Sequence, residues 1–103
     1  MGIRSVSRSE FDAFDPVRAE NIEEILEEAE WFADDDGVVI GVLAKDKADQ
    51  DWFIAVLGRD VHGEFRAIDV ESCIRNIDEA RGQLLAMMEK KLATGERTFP
   101  QEG

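Results

Sequence analysis

The sequence predicts an α+β fold in the order α-β-β-β-α, and three observations carry that expectation. Two nearly continuous apolar blocks, residues 38–44 and 52–57, lie between turn-forming segments and have the length of buried strands. Near the C-terminal end Ile77, Ala80, Leu84, Met87, Met88 and Leu92 recur at helical spacing. In the N-terminal half Ile22, Ile25, Leu26 and Ala29 share one helical face, and glutamates cover the rest.

Taken in order, residues 1–14 show no clear periodicity and are expected as a flexible arm, with Phe11 and Phe14 as its points of attachment. Asp15-Pro16 opens a helix: Asp at the N-cap accepts from free amides, and Pro in the first turn has no amide to leave unpaired. That helix works against its own electrostatics. Glu20/Glu24, Glu23/Glu27 and Glu24/Glu28 are like-charge pairs four residues apart, each costing about 0.2–0.5 kcal/mol. Residues 30–33 read as its last turn or as a fourth, edge strand. Asp34-Asp35-Asp36-Gly37 is a hairpin turn, since Asp-Gly supplies the left-handed backbone that tight hairpins need. Strands follow at 38–44, 52–57 and 64–71, separated by a polar turn at 45–51 and a Gly63-containing turn at 60–63. Asn76 with Glu79 starts the last helix, Lys90 and Lys91 sit at its negative end, and Gly95 stops it. Residues 15–95 are read as a single domain and 96–103 as a frayed tail.

Short connections make the three strands an antiparallel meander, packed with the N- and C-terminal helices. The two central strands are apolar at almost every position, whereas a sheet with one wet face alternates. Both faces must therefore be covered. Either the two helices take one face each, or both lie on one face and a second subunit covers the other; a homodimer is the favoured expectation.

The chain has 103 residues, 44% hydrophobic and 35% charged, which suits one domain with a modest core. Its formal net charge is -12. Twelve carboxylates and one cation, Arg18, lie between Ser9 and Asp36, so nearly all the excess acid sits in that window. Such a surface is repelled by nucleic-acid phosphate and by anionic lipid, so no direct nucleic-acid binding and no membrane association are expected. Cys73 is the single cysteine, no secretory signal is evident, and the expected compartment is the cytoplasm.

The α-β-β-β-α order resembles the topology of double-stranded RNA-binding domains, and a three-stranded sheet followed by a helix is similar to the DNA-binding arm domains of integrases. Both classes meet phosphates with cations. Here the last helix opens Asn76-Ile77-Asp78-Glu79-Ala80-Arg81, and the strands are apolar or acidic. The likeness is one of topology and implies no function.

No phosphate-binding glycine loop, nucleophile elbow or metal-spaced Cys/His pair is present in the sequence, so no catalytic residue, metal ligand or cofactor is assigned. Asp34, Asp35 and Asp36 lack the alternating spacing of a calcium loop. A meander brings them to the same end of the sheet as Arg59, Asp60 and His62, the minimum for a metal-dependent hydrolase, although an exposed turn histidine is the plainer reading. Asp46, Asp49 and Asp51 alternate with lysines in a mixed-charge turn. Cys73 reads as a small core residue. Trp31-Phe32, ringed by carboxylates, reads as an interface anchor or as packing beneath the first helix.

The expected function is that of a protein-binding or accessory module. Its acidic N-terminal helix would engage a basic protein surface through Glu20, Glu23, Glu24, Glu27, Glu28, Trp31, Asp34, Asp35 and Asp36. The alternative is a nucleic-acid mimic, whose helical carboxylates would occupy a cationic groove; a divalent-metal hydrolase comes third.

Overall fold

The two apolar blocks pair with each other at the centre of a five-stranded antiparallel sheet. This computed structural model describes residues 2–95; the tail expected at 96–103 lies outside the described residues. In chain order the elements are β1 (Ile3–Val6), α1 (Arg8–Ala13), α2 (Ile22–Ile25), β2 (Leu26–Asp34), β3 (Ile40–Asp46), β4 (Trp52–Arg59), β5 (Phe65–Ile74) and α3 (Ile77–Thr94). The sheet order is β1-β2-β3-β4-β5, so every strand pairs with its neighbour in sequence.

The class is α+β, but the sheet has five strands and the helix order differs from the expectation. The topology likened above to double-stranded RNA-binding domains is not the one formed. The segment expected as an arm carries β1 and α1. Only two of the four β1 residues are apolar, so no alternation announces the strand; Val6 is buried and Ile3 packs on the opposite face. Ser7 caps α1 through a capping box with Glu10, and Phe11 enters the core at 1% exposure.

The acidic helix expected from Pro16 to Ala29 does not form. Asp15 takes a left-handed φ of 55° in place of an N-cap conformation, and only the single turn α2 is helical. The rest enters β2, which is nine residues long and lies between β1 and β3, not at an edge. The reason is electrostatic as well as topological. On a helix the glutamates would face one another, whereas the strand sends Glu28 to Arg18 on one face and Glu30 to Arg81 on the other. A pairing irregularity between Glu28 and Glu30 accommodates this split.

The hairpin turns follow the sequence signals more closely. Gly37 and Gly63 have φ values of 66° and 79°. Asn76 accepts from the amides of Asp78 and Glu79 at the start of α3, and Gly95 ends it at φ 78°.

Helix α3 covers one sheet face. Ala80, Leu84 and Met88, each fully buried, pack on Phe32, Val39, Leu43, Ile54 and Val56. The approach is close at Gly41, where a Cβ would stand 2.7 Å from the Met88 Sδ. The other face holds a second cluster of Val6, Phe11, Ala33, Ile40, Val42, Ala55, Leu57 and Phe65. The Phe14 ring meets Phe65 edge-on, with centroids 5.4 Å apart. The chain's own segments thus lie on both faces, but the second face is covered by α1 and the segment after it and not by the N-terminal helix expected there.

Candidate functional site: a groove beneath an acidic strap

After α1 the chain leaves the helical conformation, with Asp15 at φ 55°, and runs as a strap, residues 15–25, across the second sheet face. One end is fixed where the Val17 amide donates to the Phe65 carbonyl, 2.9 Å away. The other is fixed by Lys47 of the β3–β4 turn, whose amide donates to the Ile25 carbonyl and whose Nζ donates to the Glu23 carbonyl. That turn, expected only as mixed charge, is held by the Asp46 carboxylate accepting from the Ala48 and Asp49 amides.

Between strap and sheet lies a cavity of about 220 Å³. Its floor is Val42, Ala44, Phe53, Ala55, Leu57 and Ala67, and Phe11, Pro16, Val17, Ala19 and Ile22 border it from above. The space exists because Ala44, Ala55 and Ala67 sit on three adjacent strands and fill little of it. Alanine is an indifferent strand former, and three alanines scattered along the chain give no signal of a groove until the strands pair. Val70 pairs with Ala55 on the same face and is 47% exposed, and Val17 and Ile25 on the strap are also exposed.

One charged pair closes the wall. Arg18 Nε and Nη2 donate to Glu28 at 2.8 and 3.0 Å, and Nη2 also donates to Asp12 at 2.9 Å. The guanidinium lies 5.4 Å from the centroid of the Phe11 ring. Trp31 Nε1 donates to the same Glu28 at 2.9 Å. Burial works to raise the Glu28 pKa, but the hydrogen bonds from Arg18 and Trp31 and the Arg18 charge outweigh it, and the carboxyl is held below its ordinary value. The Arg18 pKa is raised, chiefly by its hydrogen bond to Glu28.

The nine residues assigned to partner binding separate into two groups. Glu20, Glu23, Glu24 and Glu27 are exposed on the strap and the start of β2. Arg8 approaches Glu23 at 3.7 Å, while Glu20, Glu24 and Glu27 make no ion pair among the described residues. The others are engaged in the fold to different degrees. Glu28 closes the wall of the groove. Asp34, 5% exposed, accepts from the amides of Asp36, Val38 and Val39 and so organises its own turn. Asp35 accepts from the Gly2 amide, and Asp36 stays exposed. Trp31 and Phe32 do not form one anchor: as strand neighbours they point to opposite faces, Phe32 under α3 and Trp31 beside Glu28.

The turns at 34–37 and 60–63 do share one end of the sheet. There the Asp60 carboxylate accepts from the His62 and Glu64 amides and from Arg66 Nε. Burial works to raise its pKa, and the amides and Arg66 outweigh that and lower it. Among the described residues no three His, Cys, Asp or Glu side chains converge as a metal-ligand set. Cys73, expected in the core, is exposed at φ 60° in β5, where the register with β4 shifts. The helical array of carboxylates behind the mimicry reading is absent, because α2 is one turn long and Glu28 and Glu30 face opposite sides of the sheet.

Among the described residues no helix is long and apolar enough to cross a membrane. The chain matches no protein-family model, no curated protein and no solved structure.

Proposed function

We propose that this protein is a small protein-binding module whose acidic strap engages a basic partner surface. The observation that supports this reading is the division of the acids. Those that the fold needs are paired with arginines or backbone amides, whereas Glu20 and Glu24 stand exposed and unpaired among the described residues, on the strap that borders an apolar groove. Unpaired surface charge around an apolar patch steers encounter with a partner of opposite sign, and the patch supplies the contact area. A second copy docking through the same face would place its own acidic strap against this one, since a two-fold interface is self-complementary. Charge therefore favours a basic partner over self-association on this face.

The test compares two variants of equal net charge by fluorescence anisotropy with a labelled lysine-rich peptide at low and high salt. Reversing Glu20, Glu23, Glu24 and Glu27 to Lys should weaken binding at least about tenfold. Reversing Glu64, Glu71, Glu79 and Glu89, which are exposed elsewhere, should change it by less than about threefold. Equal losses in the two variants would mean that the peptide senses only net charge, and the strap would lose its assigned role.

A further inference from the structure

The cavity beneath the strap narrows the class of partner, on the premise that the strap engages a basic surface. We infer that the partner is a basic segment that seats one apolar side chain, of phenylalanine or leucine size, between strap and sheet, with its flanking lysines or arginines at Glu20 and Glu24.

Size comes first. A cavity of about 150 Å³ in another protein takes up benzene, and sites for drug-sized ligands run from about 300 Å³ upward. A space of about 220 Å³ lies between these and suits one side chain. The lining sets the chemistry of that side chain. The floor is apolar, and the only charged groups on the wall, Arg18 and Glu28, are satisfied by each other and by Asp12 and Trp31. Among the described residues no buried side-chain nitrogen or oxygen lacks a hydrogen-bond partner. Nothing in the cavity therefore asks for a polar occupant, and a polar one would lose its hydration without return. The sign of the flanking charge follows from the strap, where the exposed Glu20 and Glu24 adjoin the lining residues Ala19 and Ile22 in sequence.

Three peptides separate this inference from its premise: Lys-Lys-Phe-Lys-Lys, the same peptide with alanine at the centre, and Glu-Glu-Phe-Glu-Glu. The phenylalanine peptide should bind the full chain about tenfold more tightly than the alanine peptide, a difference of 1.4 kcal/mol, and the glutamate peptide should not bind. The tenfold advantage should vanish in Ala67→Leu, a substitution at an exposed β5 position that fills the cavity from its floor, and also in Ala55→Val. Amide NMR spectra confirm that both variants fold, and should show the phenylalanine peptide shifting Val42, Ala55 and Leu57. Equal binding of the two lysine peptides would overturn the anchor and leave the basic-partner reading standing. Failure of both lysine peptides to bind would overturn the premise as well. An advantage that persists in both filled variants would place the anchor outside this cavity and overturn the assignment.

Discussion

Helix α3 seats tightly on the middle of one sheet face at Gly41, Leu84 and Met88, with an opening of about 200 Å³ at its C-terminal end beside Ile3, whereas the strap over the other face leaves a gap of about 220 Å³ above the central strands. The contrast begins in sequence. On the α3 side, an eighteen-residue helix presents Ala80, Leu84 and Met88 at regular spacing, and Gly41 lets it approach until no Cβ would fit. On the strap side, α1 is six residues long and delivers Phe11, after which an irregular segment crosses alanines that cannot fill the space beneath it. A regular element with a regular stripe makes a rigid core. An irregular element over small residues makes a face that can admit something else, and Glu20 and Glu24 are exposed on that side.

The largest expected effect tests this contrast directly. Leu84→Ala should cost about 4 kcal/mol, because the tight α3 interface cannot collapse around the deletion. Leu57→Ala removes the same atoms from the floor of the groove, next to existing space and beneath a strap that can settle, and should cost about 2 kcal/mol. Urea denaturation of the two variants measures the difference. Equal costs would mean that the strap side is packed as firmly as the α3 side, and the functional contrast would lose its physical basis.

A smaller effect concerns the two arginines that staple these layers to β2. Arg81 joins α3 to Glu30, and Arg18 joins the strap to Glu28. Both carboxyls are held below their ordinary pKa. For Glu30 the main cause is the hydrogen bond from Arg81; for Glu28 burial opposes the shift and its hydrogen bonds prevail. A carboxylate with a lowered folded-state pKa stabilises fully above the unfolded value of about 4.3, and that stabilisation is lost as pH falls through the folded value. Glu28→Gln should therefore cost about 1–2 kcal/mol at neutral pH and lose its penalty in acid. Glu30→Gln should cost less, because the Glu30 side chain is 29% exposed against 14% for Glu28. Thermal melts between neutral pH and about pH 3 check the order of the two variants. A penalty that grew on acidification would contradict the lowered pKa values.

The parts of this molecule legible in sequence are those whose signals are local. Residues 38–44 and 52–57 announce themselves by apolar density and form the strands Ile40–Asp46 and Trp52–Arg59 with shifted ends; the turns do so by Asp-Gly and Gly63, and α3 by its stripe and its Asn76 cap. Residues 16–29 carry an equally local helical signal, and there it misleads. What decides them is distant: Arg81 reaches Glu30 across fifty-one positions, and β1 and β3 flank β2 on both sides. A helical reading weighs the like-charge pairs as a small penalty; it has no means of seeing the ion pairs that the strand makes instead. The capping box Ser7-Arg8-Ser9-Glu10 was a readable start for α1 that the absence of periodicity around it obscured. The groove was not legible, because Ala44, Ala55 and Ala67 become neighbours only once three strands are in register.

The smallest expected effect is the one that most sharply separates fold from function. Glu24 is exposed on the one-turn helix α2 and makes no ion pair among the described residues. If the strap's carboxylates served the fold, reversing one would cost stability; if they serve a partner, it should not. Removing a negative charge from beside Glu20, Glu23 and Glu27 relieves repulsion, so Glu24→Lys should leave stability within about 0.5 kcal/mol of the parent or raise it slightly. The same substitution should weaken capture of a lysine-rich peptide about threefold, the scale of one exposed charge at a rim, and the loss should fade at high salt. Destabilisation by more than about 1 kcal/mol would assign Glu24 to the fold. Unchanged stability with undiminished binding would remove it from the interface, and the acid on the strap would then need a different account from the groove beside it.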